Sequence, residues 1–189
     1  MSVCRANPLI VSSEPPPITP EAGRAVGDEI VRKLEGLQEP AVLPIDLGQL
    51  EYSTTGWIRE AIINPLRRTI GGDIAGRYIV LMNMHEEVRS AVDQGLLAKD
   101  RKRDTVCIHI KRNGRSEILG SLPELDAETY MAAKSMGTIT ARALADSVGI
   151  RIAAASNRLA RLRDLHLLIP IESDLIATGG RHLVYEPLT

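Results

Sequence analysis

The segment "GIRIAAASNRLARLRDLHLL", residues 149–168, concentrates side chains suited to reading a nucleic acid. Arg151, Arg158, Arg161 and Arg163 fall within residues 151–163, a stretch without an acid. A guanidinium presents paired N–H donors that match a guanine edge or a phosphate, and an asparagine amide matches an adenine edge. On a helix turning about 100° per residue, Ala155, Leu159, Leu162 and His166 share one face, which suits a core. Ala153, Ser156, Asn157, Ala160 and Arg161 lie opposite. Asn157 and Arg161 are therefore expected to contact bases, with small neighbours permitting close approach. Arg151, Arg158 and Arg163 flank that face, where phosphate contacts are expected. The competing reading is a solvated basic helix in a structural or protein-binding domain.

A second candidate is Ser53-Thr54-Thr55-Gly56, a hydroxyl-rich run just before helical spacing begins at Trp57. A threonine there can cap the helix, and the free N–H groups of a helix start also favour an anion. Residues 98–115 hold seven Lys/Arg and two Asp, which suits a solvated helix end and hairpin tip or an auxiliary phosphate-contacting surface. His85, His109, His166 and His182 lie in no metal-ligand spacing, and neither do Cys4 and Cys107. Asp46 ends an apolar run, but no nucleophile–base set accompanies it. Phosphate loops and dinucleotide glycine fingerprints are missing from the sequence. The expectation is a protein without catalytic residues, metal or cofactor.

These residues must be positioned by a chain of 189 residues, long enough for one medium domain or two small ones. Aromatics make up 3% and phenylalanine is absent, so the cores must be aliphatic. Formal net charge is -1, so a nucleic-acid surface has to be a local patch. Residues 124–189 as a whole carry seven Lys/Arg against eight Asp/Glu. The opening "MSVCRANPLIVSS" lacks the basic flank and long apolar run of a signal peptide, and no apolar stretch reaches the roughly 20 residues that span a bilayer. A cytoplasmic protein away from membranes, with reduced cysteines, is expected.

Along the first 122 residues strands and helices alternate, the pattern of an α/β sheet. "PLIVSS", "AVLPIDLG" and "RYIVLMNM" read as strands. Thr19 and Pro20 start a helix that stops near Gly36, and Ile58, Ile62, Leu66 and Ile70 mark another, which Pro65 should kink. "HEEVRSAVDQGLLAKD" is a further helix, and "TVCIHIKRNGRSEILG" a hairpin with a two-residue turn at Asn113-Gly114. Beyond Pro123 a helix ends at Gly137, Thr140 caps "ARALADSVG", and Gly149 separates it from the arginine-rich helix. A strand, a Gly179-Gly180 turn and a second strand follow. The expected division is 1–122 and 123–189.

The stretches "TARALADSVGI", "AAASNRLARLRDLHLL" and "GGRHLVYEP" resemble the winged helix-turn-helix of bacterial transcription regulators such as the MarR-like families. The resemblance implies that the arginine-rich helix lies in a major groove, and it places Arg181 and His182 on the wing, within reach of the minor groove or backbone. His166 departs from the family pattern, which commonly has glycine there. "AVLPIDLGQLEYSTTGWIREAI" with "RYIVLMNMHEEVRSAVDQGLL" resembles STAS-like domains related to anti-sigma-factor antagonists. In that family a loop of Asp-Ser-Ser-Gly type carries a phosphorylated serine; Thr54 stands in its place here and the preceding Asp is missing. Together these resemblances imply a regulator that binds double-stranded DNA. Its α/β domain would sense a small molecule, nucleotide or protein effector, or mediate homodimer formation. The alternative is a protein-interaction module of a partner-switching or defence pathway.

Overall fold

The computed structural model describes residues 3–14, 16–97, 105–172 and 183–189. Val3–Ser121 and Leu122–Leu188 form two compact units.

The first unit is α/β. A six-stranded sheet runs from an edge made of β1 (Cys4–Arg5) and β2 (Leu9–Ile10) through β3 (Ala41–Asp46), β4 (Arg77–Met82) and β5 (Cys107–Ile110) to β6 (Ser116–Leu119). All neighbours are parallel except β5 and β6, which pair antiparallel. Parallel neighbours need crossovers, and helices supply them: α1 (Pro20–Glu35) before β3, a helical segment from Thr55 to Gly71 before β4, and α4 (Glu86–Leu97) before β5. Successive strands add in one direction, so right-handed crossovers bring every helix to the same face. There Leu43, Ile45, Ile79, Leu81 and Cys107 pack with Ile30, Leu34, Trp57, Ile62 and Val92 in one apolar cluster.

α1 begins and ends at the expected residues. The Thr19 hydroxyl accepts the Ala22 N–H at 3.2 Å, Pro20 occupies the first turn, and Gly36 caps the other end. The Thr55–Gly71 segment departs from expectation. Pro65 does not simply kink an α-helix: α2 (Thr55–Ile58) passes into a π-helical turn at Arg59–Ile63 before α3 (Asn64–Gly71) resumes. The Asn64 N–H reaches five residues back to the Arg59 carbonyl. Because Pro65 has no N–H to give, the wider turn absorbs the mismatch.

Gly23 and Gly27, four apart on α1, lie over this segment. A Cβ at residue 23 would stand 2.6 Å from the Trp57 carbonyl oxygen, and one at residue 27 would stand 2.5 Å from that of Glu60. The two helices pack this closely because both positions lack a side chain.

The β5–β6 hairpin also differs from expectation. The Gly114 N–H bonds to the Lys111 carbonyl at 2.8 Å, and of the turn residues only Gly114 has a positive φ, 76°. The turn is thus centred on Arg112–Asn113, with Gly114 next in the chain, instead of on Asn113–Gly114. The Asn113 side chain supports it by accepting the Arg115 N–H at 3.0 Å.

The second unit comprises α5 (Glu124–Met136), β7 (Ile139–Thr140), α6 (Ala141–Val148), α7 (Ile152–Asp164), β8 (Leu168–Glu172) and β9 (Leu183–Pro187). β9 lies between β7 and β8, antiparallel to both. The two-residue β7 is too short to leave a periodic signature in sequence. Tyr130 on α5 ties helix to sheet by donating its hydroxyl to the Leu188 carbonyl at 2.7 Å. Among the described residues no helix is long and apolar enough to cross a membrane.

Candidate nucleic-acid interface

α6 and α7 are built around a glycine turn. Thr140 caps α6 by accepting the Ala143 N–H at 3.2 Å. Gly149 ends it in the left-handed region, φ 68°, where a β-carbon would be costly. The Ile150 N–H returns to the Ala145 carbonyl at 3.1 Å, and Ala155 bonds to the Arg151 carbonyl at 3.0 Å, which starts α7. Ala155, Leu159 and Leu162 are fully buried on α7, facing a core that includes Leu144 and Ala145 of α6.

The buried stripe fixes the orientation of the other faces. Arg151, Ala153, Ser156 and Asn157 are exposed. Arg158 is half-buried, and neither it nor Arg151 has an acidic partner among the described residues. Arg163 bonds to its neighbour Asp164, at 2.7 Å from Nη2 to Oδ1. A charged arc made of Arg151 and Arg158, beside the small exposed Ala153 and Ser156 and the amide of Asn157, is what remains open. This arc can donate to anionic oxygens and present one amide to a planar edge.

Arg161 is exposed, as a base contact would require, and it also has an acidic partner. Its Nε lies 2.6 Å from Oδ2 of Asp126, a first-turn residue of α5 whose side chain is almost wholly buried. The guanidinium neutralises a carboxylate that would otherwise sit in low dielectric without a counter-charge. Asp126 had no visible role in the sequence beyond an acid near a helix start. Ala160, next to Arg161, is half-buried.

His166 does not extend the buried face of α7. It lies beyond the helix end with φ 57°, so an imidazole-bearing residue occupies the left-handed conformation that glycine favours. Its ring is mostly buried, and that burial lowers its pKa from 6.5 to about 4, so it is neutral near pH 7. Arg181 and His182 lie outside the described residues.

In the first unit the Ser53–Gly56 run forms the start of α2. Thr54 Oγ1 accepts the Trp57 N–H at 3.2 Å and donates to the Ile18 carbonyl at 2.6 Å. Ser53 donates to the Pro17 carbonyl at 2.8 Å. Thr55 is exposed, and Gly56 packs against Pro20, whose Cγ would lie 3.2 Å from a Cβ there. The hydroxyls of Ser53 and Thr54 thus join two chain segments 36 residues apart.

Among the described residues no three His, Cys, Asp or Glu side chains come together as a metal site. No family model matches the chain, and a search of curated proteins finds no similar sequence.

Proposed function

We propose that residues 122–189 form a winged helix-turn-helix that binds double-stranded DNA through the open face of α7. The observation that carries this reading is the sorting of side chains on one helix. Three apolar residues are buried, the opposite side exposes small residues and an amide, and Arg151 and the half-buried Arg158 flank it without acidic partners among the described residues. In this reading Asn157 contacts a base edge while Arg151 and Arg158 hold phosphates, with Arg163 at the flank. The first unit acts as a STAS-like domain for sensing or association, in a cytoplasmic homodimer whose two copies of α7 read two half-sites.

Exposed Val148 and Ile152, beside the turn between α6 and α7, favour a second reading in which this end meets a protein.

Selection of bound sequences from random duplexes with the full chain, followed by anisotropy titrations, tests the proposal. Asn157→Ala should relax the selected sequence at one position and weaken it by roughly 1–3 kcal/mol. Arg158→Gln should weaken all duplexes alike and reduce the salt slope by about one. Failure to enrich any sequence, with no salt-dependent binding to random duplex, removes DNA as the partner.

A further inference from the structure

Three neighbouring strands of the first unit deliver polar groups to the carboxyl edge of its sheet. Asp46 is the last residue of β3, Asn83 follows β4, and Arg112 lies two residues beyond β5. With Ile10 at the end of β2, and with Gly48 and Gln49, they line an open cleft of about 380 Å³. The cleft thus lies beyond the carboxyl ends of the parallel strands β2 to β5.

The cleft is held by bonds among its own residues. Asp46 spends one carboxylate oxygen on the Gly48 N–H at 2.8 Å and the other on the Asn83 amide at 2.8 Å. Asn83 adopts φ 60°, the left-handed conformation that asparagine tolerates better than most residues. Gly48 lies so close that a Cβ would stand 3.0 Å from Asp46 Oδ1 and 3.1 Å from Asn83 Cβ.

Arg112 stands out in this cleft. Its Nη2 lies 3.3 Å from the Gly48 carbonyl oxygen and 3.1 Å from Nε2 of His85. His85 Nε2 lies 3.3 Å from the same Gly48 carbonyl oxygen, so the guanidinium, the imidazole and that carbonyl meet at one point. Neither contact is to an acid, and Arg112 forms no ion pair among the described residues. One nitrogen is thereby fixed while the rest of the fork stays available, an arrangement suited to an anion. The Asp46 oxygens each keep a second lone pair for a hydroxyl donor, Gln49 adds an amide, and exposed Ile10 offers an apolar surface.

We infer that this cleft binds a small phosphorylated sugar compound of mononucleotide size, its phosphate on Arg112 and its hydroxyls toward Asp46. The volume suits such a ligand. The site is distinct from the Ser53–Gly56 loop and independent of how α7 is used.

Calorimetric titration of the full chain with adenosine 5′-monophosphate, ribose 5-phosphate and inorganic phosphate tests the inference. One of the two sugar phosphates should bind more tightly than inorganic phosphate, and Arg112→Gln should weaken it about tenfold or more. Arg115→Gln, on the same hairpin, should leave the affinity unchanged, and both variants should keep the far-ultraviolet dichroism of the parent. Absence of binding by either sugar phosphate at about 5 mM overturns the proposal. So does equal affinity in the Arg112→Gln protein, and inorganic phosphate binding as well as the sugar phosphates removes the role given to Asp46.

Discussion

Replacing Arg161 with alanine separates a stabilising role from a base-reading one. Asp126 is only 4% exposed, and its carboxylate meets the Arg161 guanidinium at 2.6 Å. Stripping one partner from a fully buried pair costs about 3–5 kcal/mol, because a charge is left in low dielectric. Here the arginine itself is 53% exposed, so water can enter once it is gone. The loss should therefore be smaller, about 1–3 kcal/mol. Adding Asp126→Asn removes the stranded charge and should recover most of that loss, which makes the pair a double-mutant cycle. Fluorescence is the wrong probe, since the single tryptophan, Trp57, belongs to the first unit. Amide hydrogen exchange across α5 and α7 reports the second unit directly. The expected outcome is faster exchange in Arg161→Ala and near-parental exchange in the double variant. Unchanged exchange in Arg161→Ala, together with lost sequence preference in DNA titrations, would refute the structural role and return Arg161 to the base-reading face.

The pH response of the second unit should carry the signature of His166. Its pKa is 6.5 when unfolded and about 4 when folded, so the unfolded chain binds the extra proton between these values. Stability is then present above pH 6.5 and falls towards pH 4, by roughly 3 kcal/mol in all. In His166→Asn, which also tolerates a positive φ, exchange of α7 amides should lose that part of its pH dependence; an identical slope in both proteins would contradict it. In the first unit, Gly27→Ala should destabilise by about 1–2 kcal/mol in urea titrations followed by Trp57 fluorescence. Crowding against the Glu60 carbonyl outweighs the roughly 1 kcal/mol gained in helix propensity. Gly71→Ala, with nothing within 4 Å of its Cβ, should stabilise by about 0.5–1 kcal/mol. A stabilised Gly27→Ala protein would mean that the helices are not so closely packed.

The α/β class, the caps at Thr19, Thr140 and Gly149, and the buried stripe of α7 were legible because each rests on local spacing or on one residue type. The π turn was not, since hydrogen-bond register leaves no periodic mark and Pro65 announces only that an N–H is missing. The Asp126–Arg161 pair joins residues 35 apart, and at the level of sequence Asp126 is indistinguishable from an acid placed for the helix dipole. The cleft at the carboxyl edge was missed because Asp46, Asn83 and Arg112 are assembled by strand order. A signal did exist: each stands at or just past the end of consecutive parallel strands.

The double use of the Thr54 hydroxyl bears on how fast that residue can react. A kinase needs an oxygen that is free to lose its proton and to approach a phosphorus atom in line. Thr54 gives its proton to the Ile18 carbonyl and a lone pair to the Trp57 N–H, so both bonds must open before transfer. At about 1 kcal/mol per bond, the open form would be on the order of a few per cent of molecules, and the phosphorylation rate would drop in proportion. Thr55 is exposed on the first turn of α2, where the helix amides would also welcome the added negative charge. Kinetic accessibility therefore ranks Thr55 ahead of Thr54 as a phosphate acceptor, opposite to the order suggested by motif position.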